Sequence, residues 1–145
     1  EFRRVLFRST LLNKYNGKVA SKQNDDRLFY QIKKLPKILV INIKRFVKNN
    51  FFVESIPNQV VIPLEGIDLS AYLAEGCEQG VQTKYRLLSN IVHEGKYGAG
   101  HYKVSVNISK LGLWIELHDL YTRETIETLV LSSQAYLLFF EREDN

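Results

Sequence analysis

The alternation of apolar and polar residues predicts strands along most of the chain. The cleanest pattern runs over His101–Ile108, where Tyr102 and Val104 share one face while His101 and Lys103 share the other. Successive side chains of a strand point to opposite faces of a sheet, so a period of two is typical of a half-buried strand. We therefore expect a central strand to begin at His101, directly after an exposed glycine-bearing loop at 98–100.

Other apolar stretches predict further strands of the same sheet. Leu28–Ile32 alternates, and Ile38–Phe46 is rich in β-branched and aromatic residues between lysines, which favours a central strand. The two short apolar stretches between the turn at 49–50 and Pro63 predict short strands or extended segments. The last third adds strands at 85–92, 113–117 and 134–143.

Helical signals are few and short. Asp68 or Ser70 can cap a short helix that ends at Gly76, and the polar stretch Thr122–Thr128 favours one helical turn. Trp114 is expected in the core, together with the aromatic residues Tyr102, Tyr136, Phe139 and Phe140. The fold class predicted is therefore α+β, an antiparallel-sheet-rich domain with few short helices.

Composition fits one globular domain. The chain has 145 residues, of which 45% are apolar. No apolar run approaches the roughly 20 residues that cross a membrane, and the N-terminus lacks the apolar stretch of a secretory signal, so no membrane partner is expected. The single cysteine, Cys77, excludes an internal disulfide framework and a cysteine-built zinc site within these residues, which favours a reducing compartment.

The first nine residues, "EFRRVLFRS", resemble a translated sequencing adapter. We expect residues 1–9 to be an artefact and exclude them from fold reasoning. Removing them takes away three arginines and one glutamate and lowers the formal net charge from +4 to +2. The remaining lysines are spread out, as on an ordinary solvated surface, so direct nucleic-acid binding is not expected.

Three stretches together resemble the C-terminal part of the ubiquitin-specific protease domain (peptidase C19, UCH). They are "LPKILVINIKRF", "YRLLSNIVHEGKYGAGHYKVSV" and "WIELHDLYTRETIETLVLSSQAYLLFFERE". The resemblance implies that residues 10–145 form the sheet-rich palm portion of a papain-like fold, with the N-terminal half of the domain missing. The phrases "NKYNGK", "KRFVKNNFFVESIPNQVVIPLEGIDLSAYL" and "NIVHEGK" are most similar to the splicing-associated branch. Members of that branch keep the fold but lack the catalytic set, and they belong to the U4/U6·U5 tri-snRNP machinery.

The resemblance places His101 at the family's catalytic histidine, the general base of a thiol protease. It also implies that Gly98 and Gly100 let the loop approach a narrow substrate tail, and that Tyr102 can pack on it. A histidine on the polar face of a strand is the structural alternative for His101. Without a nucleophile or an orienting group beside it, that imidazole does not make a catalytic site.

The third catalytic position departs from the family pattern. His118 stands at the orienting position, where the family has an aspartate or asparagine, and Asp119 matches the second acid. A neutral histidine can accept a hydrogen bond, but it lacks the charge that stabilises an imidazolium. Asp119 could help only if the strand shifted, so a former catalytic position that has drifted is the favoured interpretation.

The nucleophile is expected upstream of this segment. Cys77 is a poor candidate because it lies in a polar loop between Glu75 and Glu78, whose charges disfavour a thiolate, and we expect it to lie far from His101. His93 is expected to be a loop residue at a strand end. The spacing of the three histidines matches no zinc site, and neither a metal nor a cofactor is predicted.

Two functions follow from the resemblance. The favoured one is a non-catalytic, nuclear protein scaffold in pre-mRNA splicing, with tri-snRNP proteins as partners. The alternative is an active thiol-dependent deubiquitinase that cleaves after the ubiquitin C-terminus, with its nucleophilic cysteine in the missing upstream segment. Ubiquitin is thus a second candidate partner, and a cysteine box upstream would separate the two hypotheses.

Overall fold

A computed structural model describes residues 5–6, 12–23, 26–48, 50–56, 60–63, 66–77 and 80–144. Its strands are β1 (Val5–Leu6), β2 (Ser21–Gln23), β3 (Asp26–Leu28), β4 (Ile38–Asn42), β5 (Phe46–Lys48), β6 (Val53–Ser55), β7 (Val60–Val61), β8 (Ile67–Asp68), β9 (Lys84–Lys96), β10 (Ala99–Ile108), β11 (Leu113–His118), β12 (Tyr121–Thr125) and β13 (Ala135–Arg142). Among the described residues, one α-helix, α1 (Glu127–Leu131), and two 3₁₀ turns, Asn13–Tyr15 and Ser70–Tyr72, accompany them.

A seven-stranded sheet organises the described part of the chain. Six of its strands follow the order β12-β11-β10-β9-β13-β4, and β8 pairs with the start of β9. All of these pairings are antiparallel. The 13-residue strand β9 pairs with β10 along one edge and β13 along the other, so it forms the centre of the sheet.

The core lies where this sheet meets the segment that contains β7, β8 and the second 3₁₀ turn. The largest side chains that are fully buried are mostly apolar: Tyr85, Phe140, Ile67, Leu69, Leu138 and Asn90. Burial of such apolar surface is the main force that holds a domain of this size together.

Asn90 joins α1 to the sheet. Its side-chain amide donates to the Val130 carbonyl oxygen at 3.1 Å and to Ser133 Oγ at 2.8 Å. Val130 is itself buried, so the helix packs on the face of the sheet that also carries Ser105. This packing explains why Ser105 is buried although it belongs to the polar series of β10.

The sheet-rich α+β class predicted from sequence is confirmed, and so is the central position of the histidine strand. That strand, β10, begins at Ala99, two residues before His101, and the residues at 98–100 are exposed. Trp114 and Phe140 are buried as expected, and Tyr136 and Phe139 are half-buried. Tyr102 is not a core residue, because 55% of it is exposed.

The strand predicted over Ile38–Phe46 is interrupted. Only Ile38–Asn42 forms β4, which lies at the end of the described sheet and leaves Val40 51% exposed, so the central placement was wrong. Beyond Asn42, the Ile43 N–H still donates to the Tyr136 carbonyl oxygen at 2.9 Å, and the buried Arg45 side chain donates to the Ala135 carbonyl oxygen at 2.8 Å before β5 begins at Phe46.

Two helical predictions also differ from the structure. Residues of the expected turn at Thr122–Thr128 instead form β12 and the start of α1, because β12 pairs with β11 through a two-residue hairpin. The helix expected up to Gly76 is reduced to the 3₁₀ turn Ser70–Tyr72. The strand expected over Leu28–Ile32 is shifted: β3 ends at Leu28.

Of residues 1–9, only 5–6 lie in the described part, where they pair in parallel with β7; the adapter interpretation lies outside what is described. No helix among the described residues is long and apolar enough to cross a membrane.

Replacing Trp114 with alanine should destabilise the fold by about 3–5 kcal/mol, because the indole is 6% exposed and its removal leaves a cavity in the core. Chemical denaturation of the full chain measures this change. Leu111→Ala, at an exposed position of the neighbouring loop, is the control and should change the free energy of unfolding by less than about 0.5 kcal/mol. Equal effects of the two substitutions would contradict the assignment of Trp114 to the core.

Candidate functional site

The β9–β10 hairpin positions His101. A two-residue turn, Tyr97–Gly98, joins the strands, and Gly98 has a φ of 74°, a conformation that glycine adopts without strain. The register that follows sets Glu94 directly opposite His101. Directly opposed residues of an antiparallel pair have their side chains on the same face, so the carboxylate and the imidazole meet.

Glu94 contacts two side chains of β10. Its Oε2 lies 3.1 Å from His101 Nε2, and its Oε1 lies 2.8 Å from Lys103 Nζ. Lys103 is on the His101 face because it lies two residues further along the strand. The Lys103 ammonium holds the pKa of Glu94 below its ordinary value, and the hydrogen bond with His101 acts in the same direction against the opposing effect of partial burial.

His118 lies beside His101, and Asp119 lies beside His118. The His118 ring lies against the His101 ring with a centroid distance of 4.6 Å and an interplanar angle of 31°. Asp119 occupies the β11–β12 turn with a φ of 51°, and its Oδ2 is 3.6 Å from His118 Nε2. His118 therefore stacks on His101, and Asp119 contacts His118.

The other predicted binding residues divide between the two faces. Gly98 and Gly100 are exposed beside His101. A Cβ at Gly100 would clash with the Glu94 carbonyl oxygen and the His93 ring, so this glycine is needed for close packing within the hairpin. Tyr102 alternates to the opposite face of β10, where its ring lies 5.0 Å from that of His93. The structure therefore does not bring Tyr102 together with His101.

A cleft of about 420 Å³ begins beside this cluster. Glu94 and Lys103 form part of its wall, and α1, the end of β12 and the β5–β6 hairpin contribute the rest. Glu116 and Arg123 form a second ion pair in the wall, with a distance of 2.7 Å. Since both carboxylates are paired with basic side chains, neither is available to hold a cation alone.

Arg45 lines the same cleft and joins three segments. Its Nε donates to the Ala135 carbonyl oxygen at 2.8 Å and its Nη1 to the Ile56 carbonyl oxygen at 3.4 Å. Burial lowers the pKa of Arg45 from its ordinary value, because desolvation disfavours a charged group. Arg45 thus holds the β5–β6 hairpin against the start of β13.

Cys77 takes part in a separate arrangement. Its Sγ donates to the carbonyl oxygens of Ile32 and Lys33 at 3.1 and 3.0 Å, and it lines a small pocket that shares no residue with the His101 cluster. Within the described part of the chain, no group of three or more histidine, cysteine, aspartate or glutamate side chains could hold a metal ion.

Sequence reasoning missed Glu94, Lys103 and the ion pair in the cleft wall. A signal for Glu94 was present, because a two-residue turn at Tyr97–Gly98 would pair residue 94 with residue 101. Glu116 and Arg123 required the β11–β12 register, which the helical interpretation of Thr122–Thr128 concealed.

Comparison with known proteins shows extensive similarity to one family. The family profile described as "Ubiquitin carboxyl-terminal hydrolase" matches residues 5–140. Ubiquitin carboxyl-terminal hydrolase 39 of Homo sapiens and that of Mus musculus are each 39% identical over 141 residues, which is 93% of this chain and 25% of the relative. The chain therefore spans about a quarter of the length of these curated relatives.

Solved structures share the fold. A SAGA DUB module containing Ubp8 matches with a TM-score of 0.76 and 27% identity, over 92% of this chain and 30% of that chain. A SAGA DUB module bound to monoubiquitin matches with a TM-score of 0.64 and 28% identity, over 76% of this chain and 24% of that chain. The antiparallel sheet described above is thus the corresponding part of that fold.

Replacing Lys103 with methionine should raise the pKa of the Glu94 carboxyl toward its ordinary value, since it removes the largest influence that lowers it. Carboxyl-detected NMR titration of the full chain measures this change.

A carboxyl with a lowered pKa in the folded state stabilises the fold above its unfolded pKa of about 4.3, and this stabilisation is lost as the pH falls through the folded value. The variant should therefore lose less stability on acidification. Lys110→Met, at an exposed loop position, is the control, and an equal shift there would contradict the assignment.

Proposed function

The chain belongs to the ubiquitin carboxyl-terminal hydrolase family, and from that premise we propose that it acts as a non-catalytic protein scaffold in pre-mRNA splicing. In this proposal the domain supports assembly of the tri-snRNP in the nucleus through contacts with spliceosomal proteins. The similarity of "KRFVKNNFFVESIPNQVVIPLEGIDLSAYL" to the splicing-associated branch supports it.

The observation that carries the proposal is the exposure of the β5–β6 hairpin. This hairpin lies in the branch-specific phrase, and near its tip Phe51 is 91% and Phe52 57% exposed. Exposed apolar side chains that lie together are a mark of protein–protein contact, and aromatic residues are enriched in such interfaces. Arg45 joins the hairpin to the start of β13 through its hydrogen bonds to the carbonyl oxygens of Ala135 and Ile56.

Within the described residues, no cysteine lies at the site around His101 to serve as a nucleophile. The thiol of Cys77 is hydrogen-bonded to backbone carbonyl oxygens in a separate part of the structure. A catalytic set without its nucleophile retains only residual activity.

The alternative function is a deubiquitinase that cleaves after the ubiquitin C-terminus with a nucleophile supplied from upstream. The contact between Glu94 and His101 favours it, because a carboxylate beside the histidine can stabilise an imidazolium. Ubiquitin is a partner in this alternative, as it is for the SAGA DUB module solved with monoubiquitin.

Replacing both Phe51 and Phe52 with alanine should impair tri-snRNP assembly, because it removes apolar contact area without touching the core. Nuclear extract depleted of the protein is supplied with the full-length variant, and the assembled particle is quantified by gradient sedimentation. The matched control is Leu111→Ala together with Leu120→Ala, two exposed apolar residues in the β10–β11 and β11–β12 turns, which should assemble normally. Normal assembly with the Phe51/Phe52 variant would sink the proposed docking role of the hairpin.

Replacing His101 with alanine should leave assembly nearly unchanged, since the side chain is exposed and contributes little to the fold. The same full-length proteins are assayed for hydrolysis of a ubiquitin C-terminal ester, where neither the parent nor the variant should exceed the background rate. A hydrolysis rate in the parent that His101→Ala abolishes would instead establish the deubiquitinase.

A further inference from the structure

We propose that Glu94 is the positioning residue of His101: its carboxylate fixes the imidazole with Nε2 as the N–H donor and leaves Nδ1 as the hydrogen-bond acceptor. The assignment goes beyond the proposed scaffold function, because it concerns what holds His101 and applies equally to the alternative function. In the family pattern, positions 118 and 119 orient the histidine. The proposal assigns this role to Glu94, which lies on a different strand.

The contacts of Glu94 support this role directly. Oε2 lies 3.1 Å from His101 Nε2, while Oε1 lies 2.8 Å from Lys103 Nζ, so each oxygen serves one partner. An ionised carboxylate can only accept hydrogen bonds, and the ring nitrogen that faces it must therefore carry the proton. The neighbouring Lys103 favours the ionised form of Glu94.

The backbone of the β9–β10 hairpin fixes the position of Glu94 relative to His101. Glu94 and His101 are opposed in the register, and Gly95 pairs with Gly100 next to them. A Cβ at Gly95 would lie only 2.9 Å from the Gly100 Cα, so the two strands approach more closely here than larger residues would allow. Lys103, less exposed than Glu94 or His101, then holds the far oxygen of the carboxylate.

The two groups expected from the family pattern are oriented differently. The His118 ring lies over the His101 ring at an interplanar angle of 31°, with the centroids 4.6 Å apart, so it presents its face to His101. The lone pair of an imidazole nitrogen lies in the ring plane and therefore does not point at the other ring. His118 is therefore placed to stack on His101. The Asp119 carboxylate contacts His118, and the turn that holds it has a left-handed backbone conformation.

The consequence is a defined tautomer. Neutral histidine carries its proton on one ring nitrogen, and the hydrogen bond made by that nitrogen decides which one. With Nε2 committed to Glu94, Nδ1 is the nitrogen that could accept a proton from a nucleophile or a hydrogen bond from a partner group.

Nitrogen-15 NMR of the histidine ring in the full-length protein tests the assignment. Spectra are recorded at alkaline pH, where imidazoles are neutral, and the His101 signals are identified by their loss in His101→Gln. The parent should show one protonated-type nitrogen, Nε2, and one unprotonated-type nitrogen, Nδ1. In Glu94→Gln the two shifts should move toward each other, because an amide can donate or accept and no longer selects one tautomer.

Asp119→Asn is the matched control, since it makes the same carboxylate-to-amide change at the neighbouring acid. It should leave the His101 ring shifts unchanged. Backbone amide spectra confirm that each variant is folded, which is expected because both carboxylates are solvent-accessible. The proposal is wrong if Glu94→Gln leaves the His101 shifts in place, or if Asp119→Asn moves them as much.

Discussion

The pairing of β9 with β10 is the constraint on which the site depends. A slip of one residue would turn every side chain of one strand to the other face, and Glu94 would no longer meet His101. The Tyr97–Gly98 turn fixes the register at one end. The other edge of β9 is held by β13, whose buried Leu138 and Phe140 cannot be exposed without losing core packing. The buried pairing of β9 with β13 thus helps to fix the geometry of the half-exposed pair Glu94 and His101.

Much of this sheet could be predicted from local pattern, because alternation and β-branched composition are properties of the strands themselves. The interruption after Asn42 could not, since nothing local indicates that the Arg45 side chain donates to the Ala135 carbonyl oxygen, 90 residues further along the chain. For the same reason, the polar stretch Thr122–Thr128 suggested a helix: nothing local indicates that Arg123 lies opposite Glu116. A hairpin is recognised from its turn, and here the turn contains Asp119 with a positive φ instead of a glycine.

The candidate site was predictable in part through the family resemblance, which pointed to His101 and His118. The structure places their rings 4.6 Å apart. The resemblance could not indicate Glu94, because the family pattern assigns the orienting role to the strand after the histidine strand. Glu94 belongs to the strand before it. Its position follows from hairpin geometry, which is physical information that a motif match does not contain.

These observations separate two questions that the family pattern joins: whether a carboxylate orients His101, and whether the domain is catalytic. A histidine at position 118 in place of an acid does not leave His101 without a carboxylate, since Glu94 lies within hydrogen-bond distance. The case for a non-catalytic role therefore cannot depend on position 118. The scaffold proposal depends instead on what the surface presents. The hairpin anchored by Arg45 exposes Phe51 and Phe52 to solvent. Aromatic side chains are enriched in protein–protein interfaces, so this hairpin is the part of the described surface at which the scaffold proposal is best tested.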